Sequence, residues 1–195
     1  MASYFLNECA VKATTSNAGD GVHYYLVCDN DGFLKTQQAM TRLNRAIKDG
    51  KYYAISDYDA DVDTAAPKYW MVVTPNSTTR VKISATLSAS GAGIMQLYEA
   101  PTVTDNGSAL TIVNLNRVSA STSTATAFSD PTVTDDGTLL LTYMIPAGGV
   151  PKAVGSSVRQ DTEVILKANT KYVFKFTPDA DNVSAGLVAA WFEEL

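Results

Sequence analysis

The sequence predicts a mainly β protein: a jelly-roll-like antiparallel β-sandwich carrying an N-terminal arm of one short hairpin and one helix. Three observations predict it. The chain of 195 residues is 46% hydrophobic, enough for one real core, yet only 18% charged, and its plentiful Thr, Ser, Ala, Val and Tyr suit half-buried strands better than charged helices. From Tyr52 onward the apolar period is two. A turn-bearing heptapeptide is written twice, PTVTDNG at 101–107 and PTVTDDG at 131–137.

The organisation follows from a change of texture near residue 50, which divides the chain into an arm, 1–50, and a sandwich, 51–195. In GVHYYLVCDNDGFLKT, Val22, Tyr24, Leu26 and Cys28 share one face of an alternating run, and Asp29-Asn30-Asp31-Gly32 is a turn cluster leading to Phe33 and Leu34; this reads as a hairpin. TQQAMTRLNRAIKDG then places Ala39, Met40, Leu43, Ala46 and Ile47 at helical spacing, with Thr36 as N-cap, Lys48 in the last turn and Gly50 just beyond. Something must cover Met40, Leu43 and Ile47. They either fold back on the sandwich or dock on another chain, and the separate texture of the arm favours a partner.

In the body, TRVKISATLS puts Val81, Ile83, Ala85 and Leu87 on one face and Arg80, Lys82, Ser84 and Thr86 on the other, the pattern of a strand with one wet side. Strands are expected near 69–75, 79–88, 94–99, 110–114, 122–128, 139–145, 163–167, 172–177 and 186–193. In each copy of the repeat, Pro precedes a short extended stretch and then Asn-Gly or Asp-Gly, the pairs that accept positive φ in tight reversals. Each copy is therefore expected to close its own hairpin. Asn106-Gly107 is also a deamidation-prone step, tolerated if the turn faces water. The strings SGAG (90–93) and PAGGVPKAVGSS (146–157) lack the Lys-Ser/Thr of a phosphate-binding loop and read as loops.

Charge and motif content narrow the function. A net charge of −5 and a pI near 4.8 offer no basic surface to phosphates, so neither nucleic acid nor an anionic membrane is an expected partner. No apolar run approaches the ~20 residues of a membrane span. The N-terminus lacks a basic-then-apolar signal pattern, so the chain is expected to be made in a cytosol. Cys9 and Cys28 have neither a disulfide framework nor zinc spacing around them, and are read as free thiols. His23, the one histidine, has no nucleophile elbow or second His to work with, and reads as structural. Glu99, Glu163, Glu193 and Glu194 are free to meet in space, but nothing marks any two as a glycosidase pair. No catalytic residue, cofactor or enzyme activity is expected.

Two strings invite a binding site. In SDYDADVD the alternating Asp57, Asp59, Asp61 and Asp63 are weak metal candidates, because oxygen-rich clusters hold calcium; an EF-hand loop beginning at Asp57 fails, with Val62 in place of Gly at its sixth position and Lys68 in place of Glu at its twelfth. A solvated acidic edge is the plainer reading. Trp70 and Trp191, with Tyr69, Tyr98, Tyr143, Tyr172, Phe174, Phe176 and Phe192, have the makings of a sugar-stacking platform. Aromatics at strand spacing are more often core.

The stretches LYEAPTVTDNGSALTIVNLNR, DPTVTDDGTLL, ILKANTKY and AAWFEE, within a region covering 52–195, resemble β-sandwich virion proteins of tailed bacteriophages, of the head decoration or capsid cement type. That resemblance implies a non-enzymatic jelly-roll homotrimer on the outer surface of the virion head, made in the host cytoplasm, that binds the major capsid protein and bridges its subunits. In such proteins an N-terminal arm often makes the capsid contact. Here Tyr24, Leu26, Phe33, Leu34, Met40, Leu43 and Ile47 are the candidate contact residues, assigned from the texture of the arm. The alternative is a tail or fibre-associated sandwich that binds glycans.

Overall fold

The computed structural model describes residues 42–146, 156–159 and 163–194, all within one compact unit, Thr41–Leu195. The expected hairpin, Cys9, His23, Cys28 and the contact candidates Tyr24, Leu26, Phe33, Leu34 and Met40 lie outside the described residues.

In chain order the elements are α1 (Arg42–Lys48), β1 (Tyr52–Val62), β2 (Lys68–Val73), β3 (Arg80–Ala89), β4 (Gly93–Glu99), β5 (Thr102–Asp105), β6 (Ser108–Ala109) and β7 (Val113–Asn114). There follow β8 (Thr126–Ser129), β9 (Thr132–Asp135), β10 (Thr138–Ile145), β11 (Ser156–Arg159), β12 (Val164–Leu166), β13 (Lys171–Pro178) and β14 (Val183–Glu194). One sheet has the order β11-β3-β14-β1-β7, with β12 also on β3; the second has β10-β4-β13-β2-β8-β6. The pairings nest: β1 with β14, β2 with β13, β3 with β11 and β12, and β4 with β10, all antiparallel. These antiparallel pairings build the two layers of a β-sandwich.

One core joins the layers. Val81, Ile83, Ala85 and Leu87 of β3 and Leu187, Ala189 and Trp191 of β14 meet Trp70, Val72, Leu97, Phe174 and Phe176 from the other sheet, all essentially without solvent contact. Alternation in each strand supplies these residues, as the period of two requires.

The helix ends as its sequence dictates, but it belongs to the sandwich unit. Gly50 adopts φ +67° and its N–H donates to Ile47 O, while Lys51 N–H donates to Ala46 O; together these form a Schellman cap. A side chain at Gly50 would meet Ser119 as well. Asn116 Nδ2 donates to Lys48 O, Asn114 Nδ2 to Gly50 O, and Glu193 N–H to Lys51 O. The compact unit accordingly begins at Thr41, about ten residues before the boundary expected from texture.

Three expectations about strands change. Residues 52–62, most of the acidic string included, form an eleven-residue strand that pairs with β14 and, at Tyr53 and Ala54 alone, with β7, whereas no strand of the body was expected before 69. The expected strand 110–114 shrinks to Val113–Asn114 and the strand at 122–128 starts at Thr126, because residues 115–125 form a loop pinned by side chains described below. Ser156–Arg159, read as loop, pairs with β3.

The repeat is the main correction. The copies do not close separate hairpins; β5 of the first pairs antiparallel with β9 of the second, Val103 opposite Val133. Copy one leaves β4 and enters β6, the neighbour of β8; copy two leaves β8 and enters β10, the neighbour of β4. The two crossings are interchangeable when the halves of the sheet are exchanged. Their details match: φ +56° at both Ala100 and Asp130, positive φ at Gly107 and Gly137, and a turn N–H donated to Asp105 Oδ1 or Asp135 Oδ1 at 2.9 and 2.8 Å. Met71 and Val173, cross-strand partners pointing away from the main core by alternation, are fully buried. The crossing copies hold that face through Lys171 Nζ to Asn106, Lys175 Nζ to Asp136, and Tyr69 OH to Asp136.

Asn106 and Asp136 occupy equivalent places, and each faces a lysine of β13. Converting Asn106→Asp creates with Lys171 the ion pair that Asp136 already makes with Lys175. Thermal denaturation at low salt should show a gain of at most ~1 kcal/mol, erased by high salt because the pair is exposed.

Candidate functional site

Beyond Ala54, β1 has a strand neighbour on one side only, so the acidic string lies along a sheet edge, but two of its carboxylates are engaged by side chains of the other sheet. Asp57 of β1 accepts from Trp70 Nε1 at 2.8 Å and from Ser129 Oγ at 2.6 Å. The ammonium of Lys68, a side chain only 7% exposed, lies 2.7 Å from Asp130, 3.1 Å from Asp59 and 3.8 Å from Asp57. The residue standing where a calcium loop would place its last carboxylate thus brings the cation itself. Two carboxylates of the string also accept from backbone: Asp59 Oδ1 from Asp61 N–H, and Asp63 Oδ1 from Asn182 N–H. Among the described residues no group of three or more His, Cys, Asp or Glu side chains is placed to hold a metal ion.

Electrostatics follow from these contacts. Burial by itself would push the Asp57 carboxyl up, but hydrogen bonds from Ser129 and Trp70 and the Lys68 charge outweigh it and hold the group below its usual range. Lys68 moves the other way: burial disfavours its charge, but Asp130 and Asp59 more than compensate, and its pKa is raised. Because Asp57 belongs to one sheet and Lys68 and Ser129 to the other, the cluster ties the layers together.

A second buried carboxylate does similar work without a cation. Glu193, 7% exposed, accepts from Ser123 Oγ and Thr124 Oγ1 at 2.7 Å, from Thr124 N–H at 3.0 Å, and from Ala125 N–H and Trp191 Nε1 at 3.3 Å. Desolvation opposes its charge, yet these donors keep its pKa lowered. The 115–125 loop is fastened to β14 this way. Glu193→Gln turns an amide N–H₂ toward donors; urea denaturation should show a loss of about 1.5–3 kcal/mol.

Three of the four glutamates, Glu99, Glu193 and Glu194, are engaged with separate partners. Glu99 binds Lys167 Nζ at 2.6 Å and the Tyr172 hydroxyl at 2.8 Å, while Glu193 faces the loop and Glu194 faces Lys82 at 3.9 Å. Burial first, and then Glu99, drive the Tyr172 phenol pKa upward. Nor do the aromatics offer a stacking platform: Trp70, Trp191, Tyr172, Phe174 and Phe176 are fully buried, Phe192 is 3% exposed, and Tyr69 and Tyr98 lie within 6.0 Å of the Lys175 ammonium. Tyr143 packs partly buried against the core.

Two surfaces of the described residues lie on and beside the β1–β14–β3 sheet. On the sheet containing β1, β3 and β14, the outward positions Ala54, Ser56, Ser84, Thr86, Val188 and Ala190 lie side by side by register, an uncharged patch with Val188 half exposed. At the α1 end of the same sheet, Leu43 is 40% exposed and Ile47 partly buried. Between α1 and the ends of β3 and β14 lies a concavity of about 740 Å³ lined by Arg45, Lys51, Arg80, Lys82, Asp49 and Glu194.

Sequence reasoning missed Lys68, Ser129, Asp130 and Glu193 as organising residues. One signal touched two of these: the residues just before the two copies differ as Glu99/Ser129 and Ala100/Asp130, and the copies themselves differ at Asn106/Asp136. All but Ala100 make a side-chain bond peculiar to their own copy.

No family model matches the chain, and neither a curated protein nor a solved structure matches it.

Proposed function

We propose that the protein is a structural component of a tailed-phage virion, a capsid decoration or cement protein that binds the outside of the head as a homotrimer and stabilises contacts between major capsid subunits. The observation that carries this reading is cross-bracing. The buried polar groups are engaged in tying sheet to sheet, loop to sheet and repeat to repeat, and the middle of the outer face of the β1–β14–β3 sheet is a patch of small uncharged residues. A clamp that resists separation of larger subunits needs such rigidity and a broad surface, and it needs no catalytic group. Three copies of a modest contact around a threefold axis multiply into avidity, since release requires all three to let go together. The buried Trp70 and Trp191 supply no stacking surface for a glycan.

Light scattering on the full chain, followed by sedimentation with undecorated capsids, tests the reading. A trimer that pellets at a fixed ratio to capsid subunits is the expected result. A monomer left in the supernatant overturns it.

A further inference from the structure

The concavity under α1 has an unequal charge balance on a chain that is acidic overall. Within it Arg45 Nε pairs with Asp49 at 3.7 Å, and Lys82 Nζ stands 3.9 Å from Glu194 and 5.1 Å over the Phe192 ring. Glu193, which also lines it, directs its carboxylate to the donors of 123–125. These charges are already answered. Lys51 and Arg80 are exposed and, among the described residues, their side chains have no ion pair or hydrogen bond.

Register fixes their spacing. Arg80 of β3 is opposite Glu194 of β14, and Lys51, just before β1, accepts the Glu193 N–H on the other side of β14. Two strand spacings, ~10 Å, therefore separate their backbones. The partly exposed Ile165 and the Ala46 side of α1 supply an apolar wall beside them.

We infer that this concavity is a binding site for an acidic peptide segment of a partner protein, with two carboxylates received by Lys51 and Arg80 and an apolar side chain laid against Ile165. Two isolated cations flanked by Asp49 and Glu194 suit charges that are spaced apart. A polyphosphate backbone presents charge continuously and meets those carboxylates as well. This site stands without the capsid assignment; where that assignment holds, the segment belongs to the major capsid protein.

The test is fluorescence anisotropy with an end-blocked hexaglutamate peptide carrying a neutral dye, titrated with the full chain at 50 mM salt. Saturable one-to-one binding is expected, weakened at least tenfold by Lys51→Ser with Arg80→Ser and several-fold by 250 mM salt. Both positions are exposed, and unchanged circular dichroism confirms that the double variant is folded. Three outcomes overturn the inference: no saturable binding, equal binding by the double variant, or equally tight binding of a hexathymidylate. A protein that captures the peptide but ignores capsids loses only the capsid reading. One that sediments with capsids but ignores the peptide loses only this site.

Discussion

Lys68→Met is expected to lower stability by about 1–3 kcal/mol, because the buried ammonium bonds carboxylates that keep part of their hydration, Asp130 most of all at 61% exposed. Methionine fills the space of the lysine stem, so the loss reports charge and not a cavity. Asp57, Asp59 and Asp130 would be left facing one another without their cation. Urea denaturation at pH 7 measures it as a drop in midpoint with unchanged slope. A loss below ~1 kcal/mol would mean that the ammonium is worth no more than a surface charge.

The pH dependence gives a second signature of the same cluster. Asp57 and Glu193 have lowered pKa values in the fold, so the stability they contribute is fully present above the unfolded carboxylate range, about pH 4, and is lost as pH falls through their folded values. Lys68 is raised; its contribution is fully present below about pH 10 and is lost as pH climbs through its folded value. A plateau between these limits is expected for the native chain. In Lys68→Met the acid limb should flatten, because protonating the crowded carboxylates then relieves repulsion.

Gly137→Ala is expected to cost roughly 2–5 kcal/mol, combining strain at a positive φ with backbone overlap. The new Cβ would meet the Glu99 carbonyl and lie 2.8 Å from Ala100 backbone atoms, at φ +82°. Gly107→Ala should behave alike, since its Cβ would run into Ser129 and Asp130 at φ +78°. Gly186, with ordinary contacts at 3.5 Å or more, is the control: Ala there should cost less than ~1 kcal/mol. Hydrogen exchange makes the result diagnostic. If the copies clasp each other, Gly137→Ala strips protection from Thr102–Asp105 as well as from its own turn. Loss confined to residues 132–138 would return the repeat to two independent hairpins.

Much of the architecture was legible in the chain because it depends on local chemistry. The alternation in TRVKISATLS and KYVFKFT places Val81, Ile83, Leu87, Tyr172, Phe174 and Phe176 in the core, and apolar burial tolerates many partners provided the face is right. Gly50 after a basic last turn announced the end of α1. The positive φ of Gly107 and Gly137 was implied by the residues themselves.

Partner choice was not legible. That Asp57 faces Lys68 and Ser129, that Glu193 receives the 123–125 loop, and that one copy of PTVTD pairs with the other are matters of which distant segments become neighbours. Hydrogen bonds and ion pairs are short-ranged and directional, so their meaning appears when sheet order and register are set; eleven residues separate Asp57 from Lys68, and seventy-two separate Asp57 from Ser129. The residues alone establish a β-rich, acidic chain with a repeated, glycine-dependent turn, because alternation, charge and backbone freedom are properties of short stretches. Folding in three dimensions makes the acidic string a brace, the repeat a clasp, and two lysine- and arginine-bearing strand ends a pocket, because each of these needs groups brought together from far apart in the chain.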